Sequence, residues 1–294
     1  MDEKELKKII EQVLVEMHVD TAAAPAVVSA MSGAGASKVE DGCLPDITEI
    51  DIRKQYLVEN PEHGEDYAEL KFNAPCRLGI GKAGARYKTL PQLEFRAAHS
   101  AAQDAVFTDV EPEVIEKLGL MTVKTQCENK DIFLTRPDLG RKLSEEGVAL
   151  IKEKCKKNPT VQIYVADGLS SASVAANIPD LLPAIMQGLQ SYKIDVGTPF
   201  FVEHGRVAVM DEISEITGAE VTCTLIGERP GLITAESMSA YIVYKATVGM
   251  PEARRTVISN IHRAGTNPAE AGAHIAEIIK IMLDKKVSGT DLKL

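Results

Sequence analysis

Residues 195–232 read DVGTPFFVEHGRVAVMDEISEITGAEVTCTLIGERPGL. This stretch carries two short apolar runs separated by a polar turn and one amphipathic helix. Gly197 to Val202 and Val221 to Ile226 are compact enough for buried strands, and Asp211 to Thr217 has the spacing of a short helix between them. Each run empties into a polar loop: Glu203-His204-Gly205-Arg206 after the first, Gly227-Glu228-Arg229-Pro230-Gly231 after the second. Charged residues held between Gly and Pro at a strand's carboxyl end are not needed for folding, so they mark a candidate site.

Working outward, the same alternation extends on both sides. After Asn158-Pro159, Val161 to Ala166 reads as a strand ending in Asp167-Gly168-Leu169-Ser170-Ser171, with a helix from about Ser173 to Tyr192. Met238 to Tyr244 and Arg255 to Ile261 read as further strands, and Glu270 to Lys285 as the closing helix. Near-continuous apolar strands with helices between them predict an α/β domain over residues 158–294, its sheet mostly parallel and covered on both faces, with an antiparallel edge from the last strands. Ligands in such sheets bind outside the strand carboxyl ends. Here those ends are Asp167 to Ser170, Glu203 to Val207, Gly227 to Pro230 and Ser259 to Arg263.

Upstream, residues 44–157 read as mainly helical. Helices are expected over Gln92 to Phe107 and Glu111 to Leu118, and a strand over Met121 to Cys127. Thr135 or Asp138 is placed to cap a helix running to about Lys156, with Pro137 in its first turn. His99 stands alone on its helix and reads as a hydrogen-bonded packing residue. Gly79, Gly81 and Gly84 satisfy G-x-G-x-x-G, but no apolar strand precedes them, and Asp104 falls within a helix, so the dinucleotide fingerprint lacks its context. The loop's Lys82, Arg86 and Lys88 suit an anion or an acidic partner surface.

The amino terminus differs again. Leu6, Ile9, Ile10, Val13, Leu14 and Met17 form one stripe of an amphipathic helix over residues 1–18, and the Ala/Ser/Gly/Pro-rich residues 19–43 read as a flexible linker. A tethered helix of this kind suits docking in a groove on a partner.

The bulk numbers narrow the function. The chain has 294 residues, 45% apolar and 26% charged, as in ordinary globular proteins. A net charge of -10 opposes general nucleic-acid binding. Five cysteines without C-x-x-C pairing and no apolar leader suggest a reduced, cytoplasmic protein. No apolar run is long enough for a membrane helix. Ser170 and Ser171 follow a strand but lack G-x-S-x-G, no His/Cys group falls at zinc spacing, and no carboxylate pair stands out for acid–base work. The strand-end loops therefore suit holding a large ligand, with catalysis supplied by another chain.

Five motifs, taken together, closely resemble the small (light) subunit family of adenosylcobalamin-dependent ethanolamine ammonia-lyases. They are Gly81-Lys82-Ala83-Gly84-Ala85-Arg86 with Thr89; His99-Ser100 with Asp104-Ala105-Val106; Leu134 to Arg141; Val196 to Val202 with Gly205-Arg206-Val207; and Gly227 to Gly231 together with Ile258 to His262. The resemblance implies a Rossmann-like domain packed on a large TIM-barrel subunit, the corrin ring of adenosylcobalamin (coenzyme B12) between them, and a radical conversion of ethanolamine to acetaldehyde and ammonia. It implies cobalamin contacts at Val207, Glu228 and Val257, with catalytic residues on the large subunit and the isolated chain inactive. Relatives can carry Cys where this chain has Val257, so a main-chain contact is what carries over there. The D-x-H-x-x-G signature of a replaced lower cobalt ligand is missing, which implies no cobalt ligand from this chain. The resemblance also implies that the N-terminal helix is an encapsulation tag for a bacterial microcompartment. Two other classes remain open on the residues alone: a stand-alone nucleotide-binding oxidoreductase, and a structural assembly subunit without a cofactor role.

Overall fold

The computed structural model describes residues 46–74 and 76–293. The helix expected over 1–18 and the linker over 19–43 lie outside them.

Six strands form one mixed sheet: β3 (Met121–Lys124), β4 (Val161–Ala166), β5 (Phe200–Glu203), β6 (Val221–Gly227), β7 (Met238–Tyr244) and β8 (Thr256–Ile261), in the order β3-β5-β4-β6-β7-β8. The pairs β3–β5, β5–β4 and β4–β6 are parallel, and β6–β7 and β7–β8 antiparallel. The sheet is thus parallel over four strands with an antiparallel flank of two. Two reversals make β8 run the same way as β6, so the carboxyl ends of β3, β4, β5, β6 and β8 share one edge. A separate hairpin is made by β1 (Lys82–Ala83) and β2 (Arg86–Tyr87).

The central strands explain themselves. VQIYVA in β4 and VTCTLIG in β6 are buried at every position, as strands covered on both faces must be. Their polar exceptions are partly satisfied within the chain: Gln162 Nε2 donates to Ile163 O (2.8 Å) and Thr198 O (2.9 Å).

Alternate residues of these strands feed two cores. On one face Val161, Ile163, Val165, Cys223 and Leu225 meet α6 (Ser171–Ser191) and α8 (Pro268–Lys285). On the other, Tyr164, Ala166, Phe200 and Val202 meet α5 (Glu145–Lys154) and α7 (Val209–Thr217). Helices α6 and α8 approach closely through small residues. A Cβ on Gly272 would lie 2.6 Å from Ala184 Cβ, and one on Gly188 2.6 Å from Ala276 Cβ.

The remaining helices are α1 (Gly64–Asn73), α2 (Thr89–Phe107), α3 (Pro112–Lys117) and α4 (Lys130–Thr135). Here the structure corrects one expectation. No single helix runs from Thr135 or Asp138 to Lys156. Asn129 caps α4 by accepting from Ile132 N, Leu139–Arg141 is a 3-10 turn, and Ser144 caps α5 by accepting from Gly147 N. Arg136 closes on Asp138 through two hydrogen bonds of 3.0 and 2.8 Å, and Arg206 N donates to Gly140 O (2.8 Å). These contacts hold the Pro137 segment as a break. His99 is a second correction: it is exposed on α2 and so is not a packing residue.

Candidate functional site

The helices after β4 and β5 diverge to opposite faces, α6 to one and α7 to the other. Adjacent parallel strands whose connections part in this way open a crevice at their carboxyl ends, the place where open α/β sheets bind ligands. A recess of about 200 Å³ lies there, lined by Gly168 and Leu169 after β4, Arg206 and Val207 after β5, Gly227, Glu228 and Arg229 after β6, and Ser239 and Tyr241 of β7.

Its walls are set by close backbone approach. Gly168 has φ +55°, and a Cβ there would stand 2.4 Å from Gly227 O; a Cβ on Gly227 would stand 2.3 Å from Asp167 O. Only glycine fits both positions. Leu169 N donates to Gly227 O (3.1 Å), tying the two strand ends together. The loop beyond Glu228 is pinned to the start of α6, where Ser170 Oγ donates to Ala235 O (2.5 Å) and Asn177 Nδ2 to Glu236 O (2.6 Å). Ser170 is therefore an N-cap and a loop anchor, also accepting from Ser173 N (3.2 Å), and not a nucleophile.

Of the three residues singled out from sequence, Val207 and Glu228 line this recess. Val257 lies on β8, half exposed, directly opposite the lining residue Tyr241 in the β7–β8 register. The Glu228 carboxylate is already engaged. Ser237 Oγ donates to Oε2 (2.6 Å), Ser239 Oγ donates to Oε1, and Asn260 N donates to Oε1 (3.1 Å). Burial works against its charge, but these donors and the nearby His262 hold its carboxyl below the ordinary glutamate value. Of roughly four acceptor positions on a carboxylate, about one remains for a ligand. Tyr241 is pushed up by burial, so its phenol stays a proton donor.

A cluster that sequence reading missed stands behind the Val207 turn. His204, at φ +56°, is buried, with Nε2 2.9 Å from Asp109 Oδ1. Lys130 Nζ lies 3.1 Å from Asp167 Oδ2 and 3.6 Å from Asp109 Oδ1, and Gly205 N donates to Asp167 Oδ1 (3.2 Å). Ligand atoms of Asp109, Asp167 and His204 all fall within 4.8 Å of one another. That spacing suits a cation, and the Lys130 ammonium already occupies the role. On the turn's other side, Arg206 stacks on Phe133 (4.1 Å to the ring centre) and donates to Phe133 O (2.8 Å). His262 is likewise spoken for: Nδ1 accepts from Ala264 N (3.3 Å), and Nε2 lies 2.9 Å from Asn260 Oδ1.

A second recess of about 240 Å³ is lined mainly by Ile47, Ile50, Ile52, Ala97, Ala98, Ala101, Leu232 and Ile233, with Arg77 and Glu94 at its wall. It lacks the convergence of polar loops seen at the strand ends, which makes the strand-end recess the better candidate. The Gly79, Gly81, Gly84 motif forms the β1–β2 hairpin rather than a strand-to-helix phosphate loop, which removes the dinucleotide reading of it.

A family model described as ethanolamine ammonia-lyase light chain (EutC) matches residues 64–293. The chain is 58% identical over 292 residues to a protein of Clostridium tetani named ethanolamine ammonia-lyase small subunit, covering 99% of each. It is 58% identical over 295 residues to one of the same name from Clostridium perfringens, and 54% over 297 residues to one from Listeria monocytogenes, covering 100% of each chain in both cases. The chain belongs to the ethanolamine ammonia-lyase small-subunit (light-chain) family.

Proposed function

We propose that this chain works as the small subunit of an ethanolamine ammonia-lyase and holds one edge of adenosylcobalamin against the large subunit. The observation that carries the reading is the recess at the divergence of α6 and α7, which brings Val207, Glu228 and Tyr241 into one wall with Val257 beside it.

The residues fit such a ligand in part and in an instructive way. A recess of about 200 Å³ is below the roughly 300–1,000 Å³ that enclose a drug-sized molecule. It can take only the rim of a corrin, and a second chain must cover the rest. Glu228 offers its remaining acceptor position to an amide N–H. Tyr241 and Arg229 offer donors for amide carbonyls, while Val207, Leu169 and Val257 offer apolar surface. His262 has both ring nitrogens engaged and His204 has Nε2 on Asp109, and on this reading the chain gives cobalt no ligand.

The bound cofactor supplies radical chemistry for the conversion of ethanolamine to acetaldehyde and ammonia. The work of this chain is to orient and to exclude water. The two glycine contacts fix the β4 and β6 loops, the Ser237, Ser239 and Asn260 bonds fix the Glu228 carboxylate, and Arg206 on Phe133 fixes the turn that carries Val207. The four parallel strands with their switch point support reading the mixed sheet as Rossmann-like. The isolated chain is expected to be inactive.

Replacing Glu228 by Ala should weaken cobalamin binding by the assembled enzyme by about 1–3 kcal/mol, the cost of stranding buried polar partners. A cobalamin titration of the variant and wild-type complexes measures this. Unchanged affinity would place Glu228 outside the site and favour a structural subunit with no cofactor role.

The Leu6 to Met17 stripe supports an encapsulation tag for a bacterial microcompartment. Deleting residues 1–20 should preserve activity and abolish co-localisation with shell proteins, and entry of the truncated protein would reject the tag.

A further inference from the structure

Ala105 to Asp109, the end of α2 and the two residues after it, reach both of the connections that diverge at the crevice. On the α6 side, Ser171 Oγ donates to Ala105 O (3.3 Å) and lies 2.9 Å from Thr108 Oγ1. On the α7 side, His204 Nε2 lies 2.9 Å from Asp109 Oδ1. Ser171 is the first residue of α6, and His204 directly follows β5. Thr108 is itself tied to its helix, since its N (2.9 Å) and Oγ1 (2.6 Å) both donate to Asp104 O. Ala105 is buried, so the helix end is seated and not free. The Asp104-Ala105-Val106 motif thereby gains a place beside the crevice.

The His204 end of this bridge is the strained one. His204 sits at φ +56°, left-handed backbone that a non-glycine residue adopts at a cost and keeps where its surroundings demand it. Gly205 comes next, so the chain puts the larger side chain at the left-handed position. That side chain is used. It is buried, stacks on Phe133 with 5.7 Å between ring centres, and meets Asp109. The backbone around it is closed in from three sides: Thr125 Oγ1 donates to His204 O (3.0 Å), Gly205 N to Asp167 Oδ1 (3.2 Å), and Arg206 N to Gly140 O (2.8 Å). The Asp167 bond ties the turn to the end of β4, where Lys130 Nζ holds the other carboxylate oxygen (3.1 Å). The residues that follow, Arg206 and Val207, line the recess.

Helices α6 and α7 lie on opposite faces of the sheet, so packing between them cannot set the width of the crevice where they begin. A short segment bonded to both connections can. We infer that Ala105 to Asp109 is a clasp across the crevice, and that His204, held through Asp109, is a positioning residue for the cofactor wall. His204 touches no cofactor itself. It fixes the turn that carries Val207 relative to the start of α6, beside which Gly168 and Leu169 line the same recess. A contact of this kind acts on binding, because it sets where the rim contacts stand before the cofactor arrives. The inference rests on the cobalamin reading proposed above.

The assembled enzyme of small and large subunits tests this by absorbance titration with cyanocobalamin, an unreactive cobalamin, alongside kcat at saturating adenosylcobalamin and the unfolding midpoint of each variant. Asp109→Ala removes the acceptor at an exposed position. It should raise the cyanocobalamin dissociation constant about three- to tenfold, the range one hydrogen bond commands, while kcat stays within about twofold of wild type. Asp109→Asn keeps an oxygen for His204, and its affinity should stay within about twofold of wild type. His204→Gly meets the left-handed backbone without strain and should weaken binding at least as much as Asp109→Ala; if that variant fails to fold, the two Asp109 variants decide alone. Unchanged affinity in Asp109→Ala, whatever its unfolding midpoint, reduces the clasp to a fold contact and overturns the inference. Asp109→Asn binding as weakly as Asp109→Ala overturns it too. Glu228→Ala measured beside them separates the two readings. If it weakens binding while Asp109→Ala does not, only the clasp fails, and if neither does, the cofactor wall fails with it.

Discussion

Two buried ionic clusters flank the α7 face of the sheet, and they are built on opposite principles. Arg255, at the foot of β8, reaches Asp211 in α7 through two bonds of 2.9 and 2.8 Å from one nitrogen, with both side chains almost wholly buried and Glu252 adding a bond from the surface. Behind the Val207 turn, Lys130 is shared between Asp167 and Asp109, and Asp109 also meets His204. The first is a planar charge with both hydrogen bonds on one buried carboxylate and an exposed Glu252 at its other terminal nitrogen. The second is a point charge serving two acids, one of them exposed to water. A planar guanidinium fixes geometry, whereas an ammonium shared among titratable partners tolerates the loss of a member. The comparison predicts which cluster is brittle.

Arg255→Ala should be the most damaging change, costing about 3–5 kcal/mol of stability, the usual result of leaving a buried charge unpaired. Asp211 already has its carboxyl raised by burial even with Arg255 beside it, so little else is on hand to compensate. The midpoint of denaturant unfolding measures this. Restoration by Arg255→Met with Asp211→Leu would identify the loss as stranded charge rather than lost packing.

Lys130→Met should cost less, about 1–3 kcal/mol near neutral pH, because Gly205 N still donates to Asp167. The pH dependence separates it from simple repacking. Burial raises Asp167 above the ordinary aspartate value, with Lys130 and His204 pulling the other way. Removing Lys130 raises it further. A carboxyl raised in the folded state contributes stability that is present below its unfolded pKa and lost as pH rises through the folded value. The variant's deficit should therefore grow from acid toward neutral pH, in a window above the ordinary aspartate range. A deficit that stays flat across that window would break the comparison.

The two clusters also show what the chain reveals before folding. β4 and β7 were legible to the residue, Val161–Ala166 and Met238–Tyr244, because strands buried in the sheet's centre read as compact apolar runs. The strand-end loops were legible for the same reason, as what remains between such runs. The ionic clusters were not, since Asp109, Lys130, Asp167 and His204 lie 21 to 95 positions apart where they pair. No local spacing signals that meeting. The one available hint is topological: Asp167 ends β4 and His204 follows β5, and adjacency of those strands brings them together. The misplaced helix start at Thr135 or Asp138 has a related cause. Thr-Arg-Pro-Asp imitates an N-terminus locally, whereas Ser144 caps α5 and the Arg206–Gly140 contact holds the preceding turn open.

Asp109→Asn is the mildest and most discriminating change. The Asp109 side chain is 56% exposed, so water replaces much of what the substitution removes, and the loss should be no more than about 1 kcal/mol. Its pH window lies on the other side of the aspartate range from that of Asp167. Burial pushes its carboxyl up, but His204 and Lys130 outweigh that and hold it below the usual value. A carboxyl depressed in the folded state contributes stability that is present above its unfolded pKa and lost as pH falls through the folded value. The wild-type advantage over Asp109→Asn should thus persist at neutral pH and vanish only on acidification below the ordinary aspartate range, whereas the Lys130→Met deficit is relieved above it. Unfolding curves of both variants across the acid range resolve the two windows. A shared window would mean that the acids titrate as one coupled unit, and the contrast between a brittle fork and a distributed cluster would then rest on geometry alone.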